Sequence, residues 1–262
     1  MDIFTQVANP PASRQEAENK TPGNPIILVH GSWGSSVMWM DYTQFLSDKG
    51  WDVYALDLRG HGKSGGDVEG ATMEDYANDV AQVVSDHGLS KPIVIGHSMG
   101  GLVALMYARD HETNAVGAIE PSPSKEVQGK GEEKQYPESY SPMDAGMPTD
   151  PMEVMKALPD IPQEKLMKMK EMLGQESGVA RSERKLGISV PKDKLSMPVL
   201  FVGSELGESV PFGIGIKTAQ KMADYYEKEV IEIKGATHPG ILIGKHAMDA
   251  VEQIEKWLGE NV

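Results

Sequence analysis

Pro92-Ile93-Val94-Ile95-Gly96-His97-Ser98-Met99-Gly100-Gly101 is the stretch on which the reading of this chain turns. A β-branched run enters Gly96-x-Ser98-x-Gly100, and a helix-forming run, Leu102 to Ala108, leaves it. Strand, sharp turn and helix in that order lift a serine hydroxyl clear of a sheet edge. Glycines on either side let strand and helix pass close together. Ser98 is therefore the candidate nucleophile. Met99 then stands at a helix N-terminus, with its N–H outside the helical ladder and free to donate to an oxyanion.

Outward from this point, six short β-branched or apolar runs read as buried strands: Ile26 to His30, Asp52 to Asp57, Ile93 to His97, Ala115 to Glu120, Val199 to Gly203 and Glu229 to Ile233. Helical patterns separate most of them: Met38 to Lys49, Met73 to His87, Met99 to Asp110, Ile216 to Lys228 and Lys245 to Leu258. This alternation predicts an α/β fold with a mostly parallel, doubly wound sheet, whose chemistry gathers at the carboxyl ends of the strands. One more strand fits around Asp2 to Val7. Pro10 to Pro25 is polar and proline-bearing and reads as a loose arm.

The alternation breaks once, between Glu120 and Val199. Pro121 to Pro151 is rich in proline, and Pro151 to Leu158 and Gln163 to Leu173 read as short helices. A structureless loop of that length does not suit a compact domain. The expected organisation is a core over residues 1–121, a helical lid over 122–196 and a return to the core over 197–262. Met152, Met155, Met167, Met169 and Met172 give the lid flexible, polarizable side chains suited to an apolar or variable ligand.

Composition narrows the function classes. The chain has 262 residues, 25 Lys and Arg against 39 Asp and Glu, a formal charge of −14 and no cysteine. Such a surface repels phosphate backbones, so nucleic acid is not an expected partner. Without cysteine there is no disulfide, thiol nucleophile or thiolate metal site. No apolar run approaches the ~20 residues a membrane span needs. The N-terminus has no basic-then-apolar pattern, so a cytoplasmic location is expected. Oligomeric state leaves no mark on the sequence.

Acyl transfer by serine needs a base, a group to orient it and donors for the oxyanion. Among seven histidines, His238 in Lys234-Gly235-Ala236-Thr237-His238-Pro239-Gly240 directly follows the last strand, where the base is expected. His246 is the rival, on the last helix and facing away. His97 flanks the nucleophile and is expected to point away from it. His87 and His111 sit at helix ends. The second oxyanion donor is expected from His30-Gly31-Ser32-Trp33-Gly34, with the Ser32 N–H as first choice and Trp33 second. Trp33 and Trp39 are candidate walls of the acyl pocket.

With these residues placed, the chain resembles the α/β-hydrolase fold superfamily, in its capped, serine-nucleophile, esterase- and lipase-like members. The resemblance rests on His30-Gly31-Ser32-Trp33, on Asp57-Leu58-Arg59-Gly60-His61-Gly62-Lys63-Ser64, on Gly96-His97-Ser98-Met99-Gly100-Gly101 and on Gly235-Ala236-Thr237-His238. It covers roughly residues 26–258, least well in the lid, and implies that the lid follows the sixth strand. Arg59-Gly60-His61-Gly62 is by the same resemblance a structural turn.

The acid is harder to place. The family usually sets it after the strand before the last, in a Gly-Glu-x-Asp pattern. Here Glu205 matches the glutamate, but Gly207 falls where the aspartate belongs. Some members, among them haloalkane dehalogenases with a glutamate, carry the acid one strand earlier. Glu120 ends the apolar run Ala115 to Ile119, and an unpaired buried carboxylate is costly, so a charge there needs a reason. Glu120 is the first choice, with Glu205 and Glu208 as alternatives. A serine nucleophile argues against dehalogenase and epoxide-hydrolase chemistry, which need an aspartate there.

The expected activity is a cofactor-free, metal-free serine hydrolase. It would cleave a carboxylic ester, lactone or thioester through an acyl-enzyme on Ser98, acting on a small apolar ester-like substrate. The alternatives are a carbon–carbon bond hydrolase, perhydrolase or lyase on the same scaffold, a slow-turnover ligand receptor, or a scaffold with a dead site.

Overall fold

A computed structural model describes residues 1–10 and 24–262, the side chains of residues 170–172 apart. The arm expected between Pro10 and Pro25 falls mostly outside the described residues, as does the Met172 side chain.

The elements run β1 (Thr5–Ala8), β2 (Ile26–Val29), α1 (Met40–Asp48), β3 (Val53–Leu56), α2 (Met73–Asp86), β4 (Ile93–His97), α3 (Met99–Asp110) and β5 (Ala115–Ile119). An intervening segment holds α4 (Lys125–Gln128), β6 (Ser139–Tyr140), α5 (Pro151–Ala157), α6 (Gln163–Met172), β7 (Glu176–Ser177) and α7 (Gly178–Leu186). The chain then returns through β8 (Val199–Leu206), α8 (Ile216–Tyr226), β9 (Glu229–Thr237), α9 (Gly240–Ile243) and α10 (Ala247–Asn261).

Seven strands form one sheet in the order β1-β3-β2-β4-β5-β8-β9. Only β1 is antiparallel, pairing with β3. The intervening segment leaves the sheet after β5. That strand is fifth in this chain's count rather than sixth, because β1 is the only described strand ahead of β2. Two strands run further than their sequence suggests. An irregular register between Ser204 and Leu206 lets Leu206 pair with Thr237, so β8 and β9 continue past the glycine and charged residues that resemble a loop.

Strand periodicity sorts the core into two layers. Ile27, Val29, Val94, Val116, Ala118 and Phe201 face α2, α3 and α8. Their neighbours Ile26, Leu28, Ile93, Ile95, Ala115 and Leu200 face α1 and α10. Helix α3 is buried from Met99 through Ala108, as the helix after a central strand must be. Among the described residues no helix is long and apolar enough to cross a membrane.

Within the intervening segment, α5 begins on Asp150, whose side chain accepts from Met152 N and Glu153 N, with Pro151 at its first position. Helix α7 was not legible in the sequence. Gly178-Val-Ala-Arg-Ser-Glu-Arg-Lys-Leu186 carries too few apolar residues for a helical stripe. Its N-cap, Ser177, accepts from Ala180 N, and Arg184 and Lys185 sit in the last turn, where cations suit the helix dipole.

Candidate active site

Ser98 sits between β4 and α3 at φ 57° and ψ −119°. A non-glycine residue adopts this conformation only where its surroundings enforce it. The enforcement is visible. Ser98 N donates to Ile119 O at 2.9 Å, and Ser98 O accepts from Ser122 N at 2.9 Å and Gly101 N at 3.1 Å. A side chain on Gly96 would collide with the backbone of Gly100, and one on Gly100 with the backbone of Val29 and His30. The two glycines that frame Ser98 are thus the positions where α3 presses on β4 and β2.

His238 follows β9 and brings Nε2 to 3.0 Å from Ser98 Oγ. On its other side, Nδ1 lies 2.9 Å from Glu120 Oε2 and 2.9 Å from the Ile214 carbonyl. Glu120 is fully buried at the end of β5, at φ 46°. Its Oε1 accepts from Ser204 N at 2.9 Å and from the Ser204 hydroxyl. Burial alone would raise the Glu120 pKa. The adjacent imidazoles of His238 and His97 outweigh it and hold the carboxyl below the usual glutamate range.

The loop after β2 passes over the same point. Gly34 N donates to Gly31 O at 3.1 Å, closing a turn with Trp33 at φ 64°. Among the described residues the Ser32 N–H has no acceptor. A side chain on Gly31 would come 2.9 Å from Ser98 Cβ, so only glycine lets this loop lie against the turn at Ser98. The Trp33 indole donates to Tyr140 O at 2.9 Å and meets Tyr140 and Phe212 edge to face. Strain at Trp33 is thereby held by contacts to Tyr140 in the segment after β5 and to Phe212 after β8.

The other sequence candidates fall elsewhere. Glu205 is exposed and accepts from Gly235 N at 2.9 Å, and Glu208 pairs with Lys217 at 3.0 Å. Neither approaches His238. His246 caps α10 beside Asp249. Trp39 is fully buried against Tyr42, away from both cavities that reach Ser98. His97, expected to point away from Ser98, lies beside His238. Its ring lies 4.6 Å from that of His238, and Nε2 is 2.9 Å from His238 O. His97, Glu120 and His238 each bring one ligand-type atom within 4.8 Å of the others. His97 Nε2 and His238 Nδ1 already face the backbone carbonyls of His238 and Ile214, so the cluster reads as a hydrogen-bonding unit behind Ser98.

Two cavities open on Ser98. The smaller, about 60 Å³, is walled by Gly31, Gly34, Met38, Met147, Met169, Leu173, His238 and Leu242. The larger, about 460 Å³, runs from Ser32, Trp33 and Ser98 to Tyr140, Arg181, Arg184 and Lys185. The expectation of an apolar ligand fits the first alone. Of the methionines named for the lid, Met169 faces a cavity, whereas Met152, Met155 and Met167 point to solvent. The reason is that α5 and α6 lie at the surface, with one side of each turned outward.

Sequence reasoning missed Ser204, Ile214 and Asp160. Asp160 lies between α5 and α6, buried, and its carboxylate accepts from Thr237 N at 2.9 Å and Thr237 Oγ1 at 2.7 Å. It thus holds the residue before His238. The one signal was an aspartate set in Leu158-Pro-Asp-Ile-Pro162, a rigid frame with no helical use for it.

Residues 24–120 match the α/β hydrolase fold family. A non-heme haloperoxidase of Rhodococcus erythropolis is 38% identical over 105 residues, which is 38% of this chain and 38% of that protein. A bifunctional esterase/perhydrolase of Acinetobacter calcoaceticus is 37% identical over 93 residues, 35% of this chain and 34% of that one. The chain thus matches little more than a third of the length of these relatives. Similarity of structure extends throughout. An esterase from Rhodococcus sp. ECU1013 superposes with a TM-score of 0.71 at 20% identity, covering 99% of this chain and 95% of that one. A Paleococcus ferrophilus monoacylglycerol lipase does so at 0.69 and 20%, covering 100% of both chains. Sheet order, the sharp turn at Ser98 and these likenesses agree: the chain has the α/β-hydrolase fold, and residues 24–120 are similar to the family of that name.

Proposed function

We propose that this protein is a serine hydrolase that cleaves a carboxylic ester, lactone or thioester. The observation that carries the reading is the position of His238, with Nε2 3.0 Å from Ser98 Oγ and Nδ1 2.9 Å from the buried Glu120 carboxylate. Ser98 attacks the carbonyl while His238 takes its proton. Glu120 orients the imidazole and stabilises its charged form. The Ser32 and Met99 N–H groups receive the oxyanion, each worth roughly 3 kcal/mol in the transition state. His238 then protonates the leaving group. Water, deprotonated by His238, attacks the acyl-enzyme and releases the acid. Residues 122–196 act as the lid, since Tyr140, Pro142, Met147 and Met169 all reach the cavity walls from it.

Ser98→Ala should abolish both ester turnover and labelling by a fluorophosphonate. Full labelling of that variant would end the proposal. The haloperoxidase and esterase/perhydrolase relatives favour a second reading, in which hydrogen peroxide replaces water at the acyl-enzyme and releases a peracid. Peracid formed from an ester in the presence of peroxide, absent in Ser98→Ala, is the result expected of it.

A further inference from the structure

The chain carries 39 acidic against 25 basic residues, yet the larger cavity beside Ser98 reverses that balance. Lys130, Arg181, Arg184 and Lys185 line it, against the single carboxylate of Glu132. Among the described residues none of the four cations lies within 4.0 Å of a carboxylate. Arg184 is held instead by hydroxyls: Nη2 donates to Ser32 Oγ at 3.1 Å and to Tyr140 OH at 3.2 Å, and Nη1 to Ser122 Oγ at 3.5 Å. Arg181 stacks between Tyr136 and Tyr140, its guanidinium carbon 4.7 and 4.6 Å from their ring centres. Its Nε is buried and has no acceptor.

Aromatic faces and hydroxyls fix the direction of a guanidinium without neutralising it. The buried carboxylate behind Arg184, Glu176, is already engaged by Tyr76 OH and Ser177 N at 2.7 Å each. Two oriented guanidinium groups, neither with a carboxylate at ion-pair distance among the described residues, in a cavity that reaches Ser98, are suited to a carboxylate. They come from α7, the element whose sequence shows charge in place of an apolar stripe.

The two cavities also divide the substrate. His238, which must protonate the leaving group, lines the small apolar cavity and not the large one. The leaving alcohol therefore belongs in about 60 Å³, room for a very small alkyl group, and the acyl chain in the larger cavity.

The geometry points to an acyl group that ends in an anion: the substrate class is a short-alkyl half-ester of a dicarboxylic acid, its free carboxylate held by Arg184 and Arg181. This deepens the hydrolase reading above and rests on it. In the reaction Ser98 Oγ displaces the alcohol, forming the acyl-enzyme. Water then displaces Ser98, giving the dicarboxylate and one proton.

The test compares monomethyl succinate, glutarate and adipate with the methyl esters of the matching half-amides, which are neutral and nearly isosteric. For at least one chain length the wild-type kcat/KM should favour the anionic ester by about tenfold or more, the scale of a charge-assisted contact. The preference should shrink as salt is raised. In Arg181→Gln and Arg184→Gln the ratio should fall toward one, whatever happens to the neutral rate. Hydrolysis of the neutral esters with no anionic preference at any length overturns the inference and leaves the hydrolase reading intact. A second arm does not depend on turnover. Calorimetry on Ser98→Ala should show the dicarboxylates binding more tightly than the diamides, and at least tenfold more weakly once either arginine is replaced. No binding, or binding indifferent to both arginines, overturns the inference even if the hydrolase reading has failed on its own test.

Discussion

At the scale of single residues, backbone strain collects around Ser98. Trp33, Ser98 and Glu120 are three of the five described non-glycine residues with positive φ. Each such conformation costs about 1–3 kcal/mol, which packing elsewhere must offset. For Glu120 the conformation turns the side chain at the end of β5 inward, between Ser204 and His238. Glu120→Gln keeps the shape but places either a neutral oxygen or an amide N–H against His238 Nδ1. We expect kcat to fall about 10²–10⁴-fold, as when a triad loses its anionic orienter. Glu205→Gln and Glu208→Gln should stay within about twofold of wild type, because neither side chain meets His238. Side-by-side kinetics of the three variants check this, and a severe Glu205 or Glu208 variant would displace Glu120 from the role. The choice among the three glutamates was only partly legible in the sequence. A charge ending an apolar strand marked Glu120, but its approach to His238 depends on how β5, β8 and β9 stand side by side.

At the scale of elements, the segment after β5 positions the site as well as covering it. Asp160 holds the end of β9, next to His238, through two bonds to Thr237. Removing the carboxylate leaves a buried N–H and hydroxyl without acceptors, at about 1–3 kcal/mol each. Asp160→Ala should therefore lower the unfolding midpoint and reduce kcat more than it raises KM, since it frees His238 and leaves both cavities lined as before. Thr237→Val keeps the backbone bond and should show a smaller loss of kcat. Equal losses in KM and kcat would assign Asp160 to substrate binding instead. A second tie joins the segment to the body. Tyr76 on α2 donates to the buried Glu176 of β7 at 2.7 Å. Tyr76→Phe should cost about 1.5–3 kcal/mol, the worth of a hydrogen bond to a charged group, read from urea unfolding.

At the scale of the whole molecule, buried histidines and carboxylates set the response to pH. His30 accepts from Leu58 N through Nε2 at 3.0 Å, while Nδ1 faces the Gly31 carbonyl at 2.8 Å, so the fold holds it neutral. Burial and neighbouring His61 lower its pKa to about 4. His97 is lowered too, by burial and by His238. Between pH 6.5 and 4 these two histidines therefore bind more protons in the unfolded chain than in the folded one. Stability drops as pH is lowered from 6.5 toward 4, by up to about 3 kcal/mol for His30. Below the ordinary glutamate range the lowered pKa values of Glu120 and Glu176, the latter near 2, take more of it. His61 acts in the opposite sense. Burial opposes its charge, but Glu176 outweighs that and raises its pKa, so its contribution is lost as pH rises through the raised value. Unfolding midpoints from pH 8 to pH 4 should decline on the acid side, and a His30→Gln variant should show a shallower decline. An unchanged slope in that variant would remove His30 from the account. What the sequence by itself determined is local. The β-branched runs, the glycines around Ser98 and the histidine after the last strand follow from steric and periodic rules that act over a few residues. They suffice for the alternating architecture and for Ser98 and His238 as candidates. What only the tertiary structure decided is which distant groups meet: Glu120 with His238, Asp160 with Thr237, and the α7 arginines with the cavity beside Ser98. Those encounters depend on strand order and on how the long segment after β5 folds back, and neither is encoded in the spacing of neighbouring residues.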